Sequence, residues 1–292
     1  MIRILTQQDF ETLRTYLGKD QVQNIYLIHR LQTYGLNDKN LTFWGAFEQD
    51  GLEGVLLIDN TRDENVVGYP IGDNSDILTR FGKLAFECGV NKLIGEKSNI
   101  ELAIEELDLN SKAKIVNLNF IKINPDQFVP CHNHNNDVRI ARNSDIPLLV
   151  ELYRDFEWKK KNRSDSEVKR EIQKVMDESG KYFLFEIEGR AVSANRIFPE
   201  TDKAGISGSS RTLPEFRGHE IFLSVQTASM EYLFKQRKIA VGFIEESNSS
   251  MLKVVVNKQG GIIVAKWLVV NFNGNDKIHW RPIKKRLQRF LF

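Results

Sequence analysis

The stretch TLPEFRGHEIF, residues 212–222, joins a strand-forming run to an amphipathic segment through a single glycine, Gly218. A strand that turns tightly into a helix leaves unpaired backbone N–H groups at the positive end of the helix dipole, and such a corner holds phosphate groups. Gly218 lets the main chain approach a ligand closely, Arg217 adds a charge-assisted hydrogen bond, and His219 is a further polar contact. Glu220 stands where such a loop asks for a second small residue. In the first turn of a helix an acid gains about 0.3 to 1 kcal/mol from the dipole, whereas turned inward it repels phosphate. Carboxylates able to take a proton come from two places: Glu186 and Glu188 alternate along YFLFEIEG on the side of Tyr182 and Leu184, and Glu245 with Glu246 ends IAVGFI. Cys131, His132 and His134 form C-H-x-H ahead of Asp137, but the spacing matches no closed zinc pattern, so no metal is expected.

The elements that must position these groups follow one order twice. The first half opens with the strand IRIL and helical stretches through residue 34, then two strands within LTFWGAFEQDGLEGVLLI. A helix over 75–88, the strand KLIG, a helix over 98–107 and the strand IVNLNFIKI complete it. NPDQFVPCHNHNND has no periodicity and reads as a linker, which divides the chain into domains at 1–126 and 137–292 with 127–136 between them. The second half starts with VRIA and a helix placing Ile146, Leu149, Tyr153 and Phe156 on one face. Ser164 and Glu167 form a capping box for the next helix, whose buried face is Val168, Ile172, Val175 and Met176. The strand pair YFLFEIEGRAVSANRIF, the strand KAGISGSSRTL, the glycine turn, a helix over 220–235, IAVGFI, a helix over 249–258 and IIVAKWLVVNF follow. The repeated order predicts a tandem duplication in the α/β (α+β) class.

The chain has 292 residues, 41% hydrophobic and 27% charged, with two cysteines and no apolar run approaching the about 18 to 20 residues that cross a bilayer. These values predict a folded cytoplasmic protein without a membrane span or a disulfide framework. Net charge is +2 but uneven: residues 1–135 carry 13 Lys and Arg against 19 Asp and Glu, and the remainder 28 against 20. The excess of positive charge in the second half suits an anionic ligand. RPIKKRLQRF adds five basic residues near the end, read as a solvated tail; the half is not basic enough for a dedicated polyanion binder, so no nucleic-acid partner is expected.

TLPEFRG after a strand, the helix IFLSVQTASMEYLF, the strand IAVGFIEESN ending at Asn248 and a closure at Lys258-Gln259-Gly260 together resemble the Gcn5-related N-acetyltransferase (GNAT) superfamily, whose cofactor loop commonly reads T-L-P-E-x-R-G-x-G. The resemblance is good over residues 137–272 and rests on element order alone in the first half. It implies two GNAT-like domains, each a twisted mixed, mostly antiparallel sheet flanked by helices, with two central strands splayed to admit the pantetheine arm of acetyl-CoA. By the resemblance, backbone groups of Ser209, Ser210, Arg211, Thr212 and Leu213 meet that arm, Arg217, Gly218, His219, Glu220, Ile221 and Phe222 hold the pyrophosphate, and Asn248 reaches the arm from the neighbouring strand.

It further implies an N-acyltransferase in which a small-molecule or peptide primary amine attacks the thioester directly, with Glu186, Glu188 or Glu245 as proton acceptor and a backbone N–H near Leu213 polarising the carbonyl. The chain departs from the pattern at Glu215, where a Gln or Arg is usual, at Glu220, and at Val255, where a tyrosine often serves as acid. A thiolate leaving group with a pKa of about 8.5 makes that acid dispensable. In the first half YPIGDNSDILTRFG has Gly72 but also Asp73 and Asp76, so that domain is expected to be degenerate and free of cofactor. Two alternatives stand beside this reading: an aminoacyl-tRNA-dependent transferase of related tandem fold, and a catalytically inactive module for CoA sensing or protein contact. Oligomeric state is not legible.

Overall fold

The computed structural model describes residues 1–48, 51–62, 65–107, 113–130, 137–154 and 164–272. The chain forms two compact units, one of Met1–Lys19, Arg30–Asn119 and the chain from Ala265, the other of Asp20–His29 and Phe120–Val264. Neither unit is continuous in sequence.

The first half runs β1 (Ile2–Ile4), α1 (Phe10–Leu17), α2 (Ile25–Tyr34), β2 (Leu41–Glu48), β3 (Gly51–Arg62), β4 (Asn65–Gly72), α3 (Ser75–Glu87), β5 (Lys92–Glu96), α4 (Lys97–Ile104) and β6 (Lys114–Ile123). The second runs β7 (Val138–Ile140), α5 (Ile146–Tyr153), α6 (Asp165–Asp177), β8 (Lys181–Ile187), β9 (Arg190–Glu200), β10 (Ala204–Thr212), α7 (Ile221–Lys235), β11 (Ile239–Glu245), α8 (Ser249–Leu252) and β12 (Ile262–Asn271). The two orders match element for element. Strand β4 completes the match; Pro70 and the two glycines of NVVGYPIG, Gly68 and Gly72, weaken its strand signal in the sequence. Proline is tolerated there because the last β4–β5 pair is Gly68↔Leu93, so beyond it that edge of β4 asks for no ladder N–H.

In the first unit the strand order is β1-β2-β3-β4-β5-β12, antiparallel except for the parallel pair β4–β5. In the second, the order β11-β10-β9-β8-β7 is likewise antiparallel except for β10–β11. Strands β6 and β12 are each divided between the units, β6 after Asn119 and β12 after Val264.

The two halves share an ion-pair device written as I/V-R-I followed by an aspartate six residues after the arginine. Arg3 donates both terminal nitrogens to Asp9 at 2.8 and 2.6 Å, and Arg139 does the same to Asp145 at 2.7 and 2.9 Å. Each aspartate also accepts a backbone N–H three residues upstream, from Thr6 and from Arg142. These bonds, the arginine's first, hold both carboxyls well below the usual carboxylate range.

The core of the second unit packs α5 and α6 on one face of the sheet through Leu149, Tyr153, Val168, Ile172, Val175, Tyr182 and Leu184. The expected capping box is present, with Ser164 N–H donating to Glu167 at 2.7 Å and Glu167 N–H to Ser164 Oγ at 3.3 Å. Phe156 lies outside the described residues. Helix α7 covers the other face, where Val225, Met230 and Leu233 pack on Phe183, Val192 and Ile197.

Candidate functional site

Strands β10 and β11 pair only at Ala204↔Ile239, Gly205↔Ala240 and Ile206↔Val241, and then part. At the point of divergence a Cβ on Gly242 would stand 3.0 Å from the Ser207 carbonyl oxygen, so glycine permits the close approach from which the strands open. Beyond it β10 runs on to Thr212 without a further β11 pair, while its other edge remains paired to β9 through Arg211↔Ala194 and Thr212↔Ser193. An open pair of edges in the middle of a sheet offers main-chain hydrogen bonds to an extended ligand.

Strand β10 carries a bulge between Gly208 and Arg211, and within it Ser209 has φ +53°. Three groups hold this bulge. The Tyr153 hydroxyl on α5 donates to the Ser209 carbonyl at 2.6 Å. The Asn195 amide nitrogen donates to Ser207 Oγ at 2.8 Å and to Ser229 Oγ of α7 at 2.6 Å, and its oxygen accepts from Ser210 Oγ at 2.8 Å. Burial pushes the Tyr153 phenol up far above its ordinary value, so it stays a proton donor at any working pH. Beside the bulge is a small hollow lined by Tyr153, Val168, Glu171, Ile172, Tyr182, Arg196 and Ser209. Glu171 lies 3.9 Å from Arg196 there. Sequence reading had not singled out this carboxylate. Its only signal was an acid one position before Ile172 on the buried face of α6.

After β10 the chain makes one turn of 3-10 helix over Pro214–Phe216, extends at Arg217, passes Gly218 at φ +86° and enters α7 from Glu220 at φ +58°. Glu220 is therefore the residue before the helix and not a member of its first turn. The demand for a small residue at 220 is a backbone demand, since a left-handed residue with a Cβ costs about 1–2 kcal/mol. The Glu220 side chain is exposed and makes no capping bond to the first amides of α7. Leu213 and Phe216 anchor the turn by packing with Ile221 and Val225. Arg217 is exposed, with Nε on the Thr212 carbonyl at 3.3 Å; His219 is exposed and Phe222 half-buried.

Glu215, the other acid in the loop, accepts from Arg190 at 3.1 Å. Its own backbone N–H and then Arg190 lower its carboxyl pKa. In the corresponding corner of the first unit Asn74 Oδ1 accepts from the N–H groups of Asp76 and Ile77 at 2.9 and 3.3 Å, so the first amides of α3 are capped by a side chain.

The remaining sequence candidates are scattered. Glu186 on β8 is held by Arg139 at 2.7 Å, beside Asp145. Glu188 at φ +50° and Gly189 at φ +78° form the two-residue hairpin turn between β8 and β9, and Glu188 is exposed. Glu245 ends β11 on the far lip of the opening and is exposed. Asn248 caps α8, its side-chain oxygen accepting from Met251 N–H at 3.1 Å. The expected continuous helix over 249–258 is instead α8 followed by a π-helix, Lys253–Lys258, in which Val255 is buried against Ile121, Ile123 and Met230. Gly260, at φ +77°, lies where any Cβ would overlap the Gln127 backbone.

The N–H of Leu213 itself donates to Val192 O at 3.0 Å, just beyond the last β9–β10 pair. Cys131, His132, His134 and the basic tail lie outside the described residues. Among those described, no group of three or more His, Cys, Asp or Glu is arranged to hold a metal, and no helix is long and apolar enough to cross a membrane.

The fold is GNAT-like, and solved structures similar to it include a tandem GNAT protein. Solved structures similar along most of the chain include a GCN5-related N-acetyltransferase from Sphaerobacter thermophilus, with TM-score 0.63 and 11% identity, covering 92% of this chain and 94% of that one. A tandem GNAT protein from the clavulanic acid biosynthesis pathway gives 0.61 and 11%, covering 92% and 97%. A GNAT-family acetyltransferase from Colwellia psychrerythraea gives 0.59 and 12%, covering 93% and 99%. No protein-family model and no curated protein sequence matches the chain. The likeness is one of fold.

Proposed function

We propose that the second half of the chain binds an acyl-CoA, acetyl-CoA in the first instance, and transfers the acyl group to a primary amine. The observation that carries this reading is the contrast between the two corresponding corners. The amides before α3 are consumed by Asn74, whereas Glu220 makes no capping bond to those at the start of α7, which follow a left-handed Gly218 and adjoin the parted edges of β10 and β11. Main-chain amides of Gly218–Phe222 with Arg217 then take the pyrophosphate, the open edge of β10 through Arg211 and Thr212 takes the pantetheine arm, and the Asn248 amide nitrogen is the donor on the opposite side.

In the reaction the amine nitrogen attacks the thioester carbonyl carbon, a C–N bond forms, the C–S bond breaks, and the electron pair leaves on the CoA sulfur. The amine proton passes to a carboxylate directly or through one water. Glu171, in the hollow beside Ser209, and Glu245, on the far lip, are the carboxylates this reading employs, since Glu186 is engaged by Arg139 and Glu188 sits in a hairpin turn. A second reading, a CoA-binding module without catalysis, draws on Val255, which is buried in the core where relatives of this fold often carry an acidic tyrosine.

Calorimetry with acetyl-CoA tests the binding. We expect saturable heat from the wild type, and from Arg217→Glu an affinity lower by tenfold or more at an unchanged melting temperature. No heat from the folded wild type refutes both readings. Binding without turnover of any amine selects the second.

A further inference from the structure

The sheet face beneath α5 and α6 carries an arginine and a glutamate beside the opening. Arg196 stands on β9 between its partners in register, Tyr182 of β8 and Gly208 of β10, on the face where Ala194 and Phe198 join the core. Its side chain is only 18% exposed, and the Glu171 carboxylate of α6, 3.9 Å away, is beyond hydrogen-bond reach. On its other side a Cβ at Gly208 would meet nothing within 4 Å, so the face next to the guanidinium is open. Tyr182, Val168 and Ile172 wall the hollow, and Ser209 brings it against the stretch of β10 past the last β11 pair. Arg211 shares this face, opposite Ala194, and its charge and that of Arg196 both bear on the Tyr153 phenol. Glu215, which feels Arg211, is engaged by Arg190.

A guanidinium largely withdrawn from water, with no carboxylate oxygen in hydrogen-bond contact among the described residues, suits a planar anion held by two nitrogens. The carboxylate beside it suits a cation. In an α-amino acid the ammonium nitrogen and the nearer carboxylate oxygen are about 3 Å apart by standard bond lengths. That span lies along the 3.9 Å between Arg196 and Glu171 with the charges in opposite order. A phosphate would set a double charge against Glu171, and a polyamine would leave Arg196 without a partner.

We propose that this hollow seats the acceptor and that the acceptor is an α-amino acid with a small side chain or none, its carboxylate on Arg196 and its ammonium on Glu171. The inference rests on the reading that an acyl-CoA occupies the opening between β10 and β11, and it names the class of amine. Glu171 takes one ammonium proton, the freed amine attacks the thioester carbon, and a second proton ends on the departing thiolate, giving an N-acyl amino acid and CoA.

The test sets an amino acid against its amide, which keeps the amine and the shape but loses the negative charge. Binding of glycine, alanine, glycinamide and alaninamide to the CoA-saturated full chain is measured by calorimetry, and kcat/KM for each with acetyl-CoA. A charge-assisted contact to a mostly buried guanidinium makes the wild type favour the amino acids by about 10- to 100-fold. Arg196→Gln brings that ratio to about one through the amino acids' KM and leaves CoA affinity unchanged, while Arg196→Lys recovers part of the preference. Glu171→Gln lowers kcat for amino acids and amides alike. A variant altered only in packing would weaken all four ligands together and keep the ratio.

Amides bound and acylated by the wild type as well as the amino acids overturn the inference and leave the proposed function standing. So does a chain that binds CoA but neither amino acid. An unchanged ratio in a folded Arg196→Gln takes the carboxylate away from Arg196 and overturns it likewise. Absence of CoA and acetyl-CoA binding by the wild type overturns the inference together with the proposed function. Should neither Arg196 variant fold, the wild-type ratio decides alone.

Discussion

Replacing Glu220 separates two effects that the loop combines, backbone strain and charge. At φ +58° a glutamate carries about 1–2 kcal/mol that glycine does not, and glycine gives back about 0.5–1 kcal/mol through the freedom of its unfolded state. Glu220→Gly is therefore expected to stabilise the fold by up to about 1 kcal/mol, raising Tm by about 2–4 °C, whereas Glu220→Gln keeps the strain and leaves Tm unchanged. The charge term acts only on the ligand. An exposed carboxylate beside a bound diphosphate, screened by a dielectric close to that of water, opposes binding by about 1–2 kcal/mol.

Both variants should thus bind acetyl-CoA about tenfold more tightly at low salt, with the gain shrinking toward 0.5 M salt as the Debye length falls below the separation. Calorimetry at two salt concentrations and a thermal melt give all four numbers. If neither variant gains affinity while Glu220→Gly gains stability, the loop is a strained turn and not a phosphate cradle. If Glu220→Gly is destabilised, the left-handed assignment is wrong.

Asn74→Ala removes the side chain that satisfies the first amides of α3 and should cost about 1 kcal/mol in thermal or denaturant unfolding, with no change in acetyl-CoA affinity. Asp145 has its carboxyl pKa depressed in the fold by Arg139, so its contribution is complete above the unfolded value of about 3.9 and is lost as pH falls through the folded one. Asp145→Asn should accordingly be less stable than wild type at pH 6, and the gap should narrow as pH drops below about 4. A gap that stays constant with pH would show that the ion pair carries no linked stability.

What the sequence determined by itself is local. The 3.6-residue spacing of Val168, Ile172 and Val175 and the Ser164–Glu167 box placed α6; the glycine at 218 placed the turn; and two similar successions of elements announced the duplication. Each depends on residues within a few positions of one another, where propensity, capping and periodicity act directly. The site is another matter. That Glu186 belongs to Arg139, that Leu213 spends its N–H on Val192, that Tyr153 reaches Ser209, and that Glu171 lines the hollow beside it are facts of strand register and helix docking, between residues 21 to 56 positions apart. The sequence carried these side chains, but a carboxylate on an alternating strand faces whichever partner the neighbouring strand presents, and only tertiary pairing sets that partner. Even the wish for a small residue at 220 changed meaning: it is written as a motif, and folding shows it to be a left-handed backbone that glutamate occupies at a cost.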